Sequence, residues 1–341
     1  MNSTHRLVGI LALAALLAAA PAKASWSTAD VPGDQQQLQT EKFSKTVPLP
    51  KGGSLDLSNI SGDIVVTGGA GDQVVIDAVK RGKTAEDLKL VQIEVTAGAN
   101  RVEVRTQYPQ ERRNVNVSVD FTVTVPRAAG VTVRSVSGDL KLATIDGALT
   151  AESVSGDVNV TSAAQLESAK TVSGDVTVEK AASEGDISVA SVSGDVTLTA
   201  VKARGIEANS VSGGATLADV TCSRAKAKSV SGDIVFGGPL AKGGRYGFQS
   251  HSGDITIYTD GKAGFELNAS TFSGDISSDL KIVSTFGSEG EGGQPGRRPK
   301  SGPGQRIHGT FADGGAFLEL SAFSGDVKIV STTAAKAAVK K

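Results

Sequence analysis

The sequence predicts an all-β chain, a single-chain parallel β-solenoid (β-helix) with coils of about 18–21 residues. Three observations lead there: a Ser-Gly-Asp tripeptide that recurs at near-constant spacing, apolar residues that alternate with polar ones around it, and a residue list suited to thin strands and many turns. Ser-Gly-Asp ends at Asp63, Asp139, Asp157, Asp175, Asp195, Asp233, Asp254, Asp275 and Asp326, and Ser212-Gly213-Gly214 fills one gap. From Asp139 to Asp275 the steps are 18, 18, 20, 19, 19, 21 and 21 residues. The chain has 41 glycines, 4% aromatic residues and one methionine, with abundant Val, Ser, Thr, Asp and Ala. That composition favours β-branched strands and frequent corners over the Leu-, Phe- and Met-rich core of a globular α/β enzyme.

Alignment on the Asp assigns the side chains. One residue after it stand Leu140, Val158, Val176, Val196, Ala215, Ile234, Ile255 and Ile276; three after it stand Leu142, Val160, Val178, Leu198, Leu217, Phe236 and Ile257. A variable residue separates the two sets, the period of a strand with one buried face. Three residues before the Asp stand Val136, Val154, Val172, Val192, Val211, Val230, His251 and Phe272, and their apolar character assigns them inward as well, with His251 as a packed core histidine. Glycine supplies a positive φ at the corner, and the Asp is expected to bond a nearby backbone N–H of its own turn. A hydroxyl sits four before the Asp, from Ser135 and Ser153 through Thr171 and Ser191 to Thr271. Looser corners appear at Asp146-Gly147, Glu184-Gly185 and Arg204-Gly205. Nine or ten coils at about 4.8 Å each would span roughly 45 Å.

The remaining segments follow in chain order. Residues 1–24 read as a signal peptide: His5 and Arg6, an apolar run from Leu7 to Ala20, then Ala22-Lys23-Ala24 before the cut. The run is too short for a spanning anchor, and the expected location is exported, periplasmic or extracellular. Residues 25–40 read as a flexible leader, and 41–126 as an N-terminal β region continuous with the solenoid, with one short helix over Thr84–Leu90. The regular solenoid covers 127–331, interrupted by a Gly/Pro/Arg-rich disordered insertion at 287–305, and 332–341 form a tail. Aromatics around that insertion (Phe265, Phe272, Phe286, Phe311, Phe317 and Phe323) are expected to widen or cap that end of the core.

The formal net charge is −1, and −3 once Arg6 and Lys23 leave with the signal, so no nucleic acid or anionic membrane is implied as partner. Cys222 is the sole cysteine and is expected as a packed thiol. His251 and His308 are the histidines left after signal removal. No nucleophile elbow, metalloprotease helix, phosphate loop or dinucleotide fingerprint occurs, so no catalytic, cofactor-binding or metal residue is assigned. Two alternatives stay open: a carbohydrate-active β-helix enzyme, whose acids would break the repeat on one face, and Ca²⁺ held along the Asp column.

Ser-Val-Ser-Gly-Asp-Val at 135–140, 153–158 and 191–196, with the entry from Phe43 to Ile64 (Pro-Leu-Pro-Lys-Gly-Gly, then Leu-Asp-Leu-Ser-Asn-Ile-Ser-Gly-Asp-Ile), resembles a bacterial family of unknown function labelled "putative adhesin". The likeness covers residues 41–331. It implies an exported or surface-associated β-solenoid that binds an unidentified envelope, protein or glycan partner without catalysis. The Gly/Pro/Arg-rich insertion and the lack of a visible surface anchor depart from that family.

Overall fold

The structure is a computed structural model that describes residues 38–109, 115–284 and 304–332. The signal peptide, most of the leader, most of the insertion and all of the tail but Thr332 lie outside these residues, as does Phe286.

The described chain is all-β and solenoid-like, with one short helix, Ala85–Leu90. Thr84 caps that helix, its hydroxyl accepting from the Asp87 N–H at 3.1 Å, and Leu88 is its buried residue. The stacking unit is plain in the middle of the chain. Val176–Glu179 pairs in parallel with Val158–Lys170 on one side and Val196–Thr199 on the other. The next strand of the same coil, Asp186–Ala190, pairs in parallel with Val158–Lys170 and with Gly205–Asn209. Like residues therefore stack in columns: Val158, Val176, Val196, Ala215 and Ile234 are all buried. No coil could hide its apolar face alone, and each is closed by its neighbours.

Both ends depart from simple succession. Near the N-terminal end, Ser54–Ser61 pairs directly with Gly130–Ser137, and Ile64–Gly69 with Leu140–Ser155. The chain between them returns on the opposite side, where Arg101–Gln107 and Val117–Pro126 add parallel strands. Antiparallel partners follow: Gln73–Gly82 on Val117–Pro126, Gln39–Pro48 on Gln73–Gly82, and Gln92–Ala97 on Arg101–Gln107. Towards the other end, Ala316–Ser324 lies between Arg245–Ser252 and Phe265–Ser273, parallel to both. The Asp326 coil is thus inserted between those of Asp254 and Asp275, ahead of its place in the sequence. Gln305–Phe311 closes that end, antiparallel to Phe265–Ser273.

The interior corrects the sequence reading at one column. The residues three before each Asp face outward: Ile60, Val136, Val154, Val172, Val192, Val211, Val230, Phe272 and Phe323 are 41–52% exposed. His251, in the same column, is exposed too. The hydroxyls one position earlier are the buried residues, Ser135 through Thr271 at 2–6%. Strand parity decides this. Val131 and Val133 are buried, so Ser135 falls inward and Val136 outward on Gly130–Ser137. The aromatics divide likewise. Phe265 is fully buried beside Phe311, whereas Phe272 and Phe323 stand in solvent.

Candidate binding surface

The recurrent tripeptide builds three ladders along the stack, and these position the surface. In the first, each Asp carboxylate accepts from the backbone N–H of the corresponding residue in the next coil. Asp139 Oδ1 receives Asp157 N at 2.9 Å, Asp157 receives Asp175 at 2.9 Å, and Asp175 receives Asp195 at 2.8 Å. The ladder begins at Asp120, which receives Asp63 N at 3.1 Å, and follows the spatial order of coils through Asp254, Asp326 and Asp275. Gln305 Nε2 donates to the last carboxylate, on Asp275, at 3.0 Å. The expected bond within the Asp's own turn is replaced by a bond between coils. Gly214 interrupts the ladder: it still donates to Asp195 at 2.8 Å but offers no carboxylate onward.

The second ladder is the buried hydroxyl column. Ser191 Oγ donates to Gly174 O at 2.8 Å, Ser210 to Gly194 O at 2.9 Å and Thr271 to Gly325 O at 2.9 Å. The third is the glycine column, with φ of +141° at Gly174. A Cβ there would stand 2.4 Å from Gly156 O, so the adjoining coil excludes any side chain.

Outside these ladders runs the column of exposed apolar residues. In spatial order it reads Ile60, Val136, Val154, Val172, Val192, Val211, Val230, His251, Phe323 and Phe272. Singly exposed apolar residues are ordinary on protein surfaces, whereas a contiguous row is a candidate contact surface. At its far end the rings stack: His251 on Phe323 at 4.7 Å and 10°, Phe323 on Phe272 at 4.9 Å and 4°. Phe323 is thus covered by a ring on both faces, and His251 and Phe272 each lay one face on it.

Shallow grooves border the column at both ends. One, about 710 Å³, is lined by Ile60, Arg134, Val136, Val154 and Val172. The other, about 910 Å³, is lined by Lys228, Val230, His251, Phe272, Arg306 and Phe323. The two sides of the column differ in charge. Two residues before the apolar position lie Arg134, Lys170 and Lys228 in three coils, Glu152 in a fourth and uncharged residues in the others, with Arg105 and Arg306 beyond the outermost coils. Arg134 contacts Asp56 and Glu152 at 3.4 Å. Among the described residues Lys170, Lys228 and Arg306 form no ion pair. The other side is the half-exposed Asp ladder. Lys328 joins that ladder, 2.9 Å from Asp254 and 3.2 Å from Asp326. Its hydrogen bond holds the Asp254 carboxyl below the usual value; Asp326 is lowered first by the Asp275 N–H and then by Lys328.

The other residues singled out from sequence are dispersed. Cys222 is buried, and burial pushes its thiol up to about 11, which suppresses the nucleophilic thiolate. His308 lies 3.6 Å from Glu266 on the end strand. Among the described residues no three His, Cys, Asp or Glu side chains are grouped to hold a metal ion, and no helix is long and apolar enough to cross a membrane. Sequence reasoning missed the outward column, although apolar residues eight and six before nearly every Asp (Glu167 before Asp175 is the exception) already carried the parity that reveals it.

The family model described as Toastrack DUF4097 matches residues 23–189 and again residues 168–294. Among solved structures, the chain is similar to a "putative lipid binding protein" from Parabacteroides distasonis (9% identity, 85% of this chain and 97% of that one, TM-score 0.46). It is also similar to a "putative adhesin" from Bacteroides fragilis (14% identity, 85% and 97% covered, TM-score 0.42). A second "putative adhesin", from Parabacteroides merdae, shares 8% identity over 85% of this chain and 96% of that one, with a TM-score of 0.37. No curated protein sequence matches the chain.

Proposed function

The chain belongs to the Toastrack DUF4097 family, and from that premise we propose that it is a non-enzymatic exported protein, adhesin-like or envelope-associated, that binds through its outward apolar column. The parts assemble as one parallel β-solenoid of 18–21-residue coils on 127–331, continuous with the β region of 41–126. A signal peptide over 1–24 takes the chain to the periplasm or beyond. The observation that supports a binding role is the unbroken row of exposed Ile, Val, His and Phe side chains over ten coils. The Ser-Gly-Asp carboxylates are already used between coils, which favours a structural role for them over catalysis or Ca²⁺ binding.

The test is cosedimentation of the purified protein with isolated bacterial envelopes, comparing wild type with Val172→Lys/Val192→Lys. The reading expects binding by wild type and its loss in the variant, at unchanged melting temperature. Equal sedimentation of both proteins would remove the column as the binding surface.

A further inference from the structure

We infer that the aromatic end of the column is a saccharide subsite whose ligand is an acidic, carboxylate-bearing sugar chain. The inference rests on the binding role proposed for the column and names the ligand of one end of it. The row from Ile60 to Val211 lies outside the subsite. Three features lead to it.

The first is a ring platform. Phe272 lays one face on Phe323 at 4.9 Å, yet it is 52% exposed. The stack stops there because the next position of the column is a glycine. Thr271 pairs with Gln305, which brings Gly304 beside Phe272, and a Cβ on Gly304 would stand 3.7 Å from Phe272 Cα. Among the described residues no other ring and no cation stacks on Phe272. The negative face of such a ring attracts the weakly positive C–H groups along one side of a sugar.

The second is the row beside the rings. Lys228, Gln249, Ser321, Ser270 and Arg306 are successive pairing partners. With the rings they line one groove of about 910 Å³. Cations therefore stand at its two ends, four strand spacings or about 19 Å apart. Among the described residues neither forms an ion pair. Arg306 lies opposite Ser270 and diagonal to Phe272, a separation of about 7–8 Å between backbones. A sugar seated on the ring thus brings a carboxylate within reach of the guanidinium, which takes it through two parallel hydrogen bonds. Between the cations, Gln249, Ser321 and Ser270 offer neutral donors and acceptors that suit hydroxyl groups. Glu319 stands two residues before Ser321, on the side away from the rings.

The third is what the groove disfavours. Its strands at Arg245–Ser252, Ala316–Ser324 and Phe265–Ser273 are each paired on both sides, so a peptide cannot add as a further strand. An acyl chain would cover the amide and both cations without giving them partners.

The experiment is calorimetric titration of the purified protein with short oligomers of galacturonate and of mannuronate. At least one is expected to bind, and its carboxyl-reduced, neutral form to bind about 10-fold more weakly or less. Arg306→Gln should weaken binding by about 10-fold, and Phe272→Ala by about 10-fold through the lost ring face. Both residues are exposed, so circular dichroism and melting should not change. Added salt should shrink the Arg306→Gln effect and spare that of Phe272→Ala. Lys141→Gln, which removes an exposed charge on another face, should bind as wild type does. Failure of both oligomers to bind overturns the inference, as does binding that ignores Phe272→Ala and Arg306→Gln. Equal binding of oligoglutamate or of a single-stranded oligonucleotide overturns it too, since charge alone would then suffice. The envelope assay separates the two readings. Envelope binding lost in Val172→Lys/Val192→Lys, without any saccharide binding, ends the subsite alone. Saccharide binding by a protein whose envelope binding ignores those substitutions ends the wider column's role alone.

Discussion

Gly174→Ala probes what makes the stack close-packed. Gly174 has φ +141°, a backbone region costly for L-residues by about 1–2 kcal/mol. A Cβ built there stands 2.4 Å from Gly156 O and 2.6 Å from Gly156 C. Those atoms belong to the backbone of the adjacent coil, so relief requires separating two coils that also share the Asp157-to-Asp175 bond at 2.9 Å. Overpacking of this kind costs about 1–3 kcal/mol more, so the expected loss is about 2–5 kcal/mol in all. Gly185 is the internal control. It lies at the looser corner, where a Cβ would meet only Ser183 Oγ at 3.7 Å. Gly185→Ala should therefore stay within about 1 kcal/mol of wild type. Urea unfolding followed by circular dichroism gives the comparison, and amide exchange around coils 157–195 shows whether the damage is local, as repeat arrays permit. If Gly174→Ala costs less than about 1 kcal/mol, or no more than Gly185→Ala, the close approach of the coils is not what requires glycine.

Three further outcomes follow from the ladders. Ser191→Ala removes the 2.8 Å bond to Gly174 O and should cost about 1 kcal/mol. Val192→Ser, one residue on but in solvent, should change stability by less than about 0.5 kcal/mol, and thermal melts showing the reverse order would refute the assigned facing. Asp175→Asn should be nearly neutral in urea unfolding, because an amide oxygen can still accept from Asp195 N, whereas Asp175→Ala should cost about 1 kcal/mol. A melting temperature lowered by EDTA in wild type but not in Asp175→Asn would instead show a bound metal. Finally, Asp254 and Asp326 titrate in the fold below their ordinary 3.8. Their contribution to stability is full above that value and fades as pH falls through the lowered folded values. Lys328→Met should flatten the acid limb of the stability-pH curve below about pH 4, and superimposable acid limbs would exclude this linkage.

Much of the architecture was legible because a solenoid-like stack writes its geometry into the chain once per coil. The 18–21-residue spacing, the apolar-x-apolar pair after nearly every Asp and the obligatory glycine all answer to local rules of strand and corner. The facing of Val136 and its column was open to the same reasoning. Parity counted back from Val131 and Val133 settles it, but apolar character pointed the other way. His251 was misplaced for the same reason, since its column was taken as core. The exchange of the Asp bond from its own turn to the next coil was hidden, because a carboxylate at a corner serves either donor and sequence spacing does not distinguish them.

By itself the sequence determined an all-β chain, the coil length and the residues after each Asp that enter the core, since these depend on residue type and period two. Only the tertiary structure decided the order in which coils stack. Asp63 lies beside Asp139, 76 residues on, and Asp326 sits between Asp254 and Asp275. All coils carry nearly the same strand and corner pattern, so each can pair with almost any other, and nothing local ranks the choices. The ranking comes from fitting particular neighbours: Tyr246 and Phe248 against Leu318 and Leu320, and the antiparallel strands that close each end. That stacking also completed the exposed column, because Phe323 comes between His251 and Phe272 only once the last coil has moved inward.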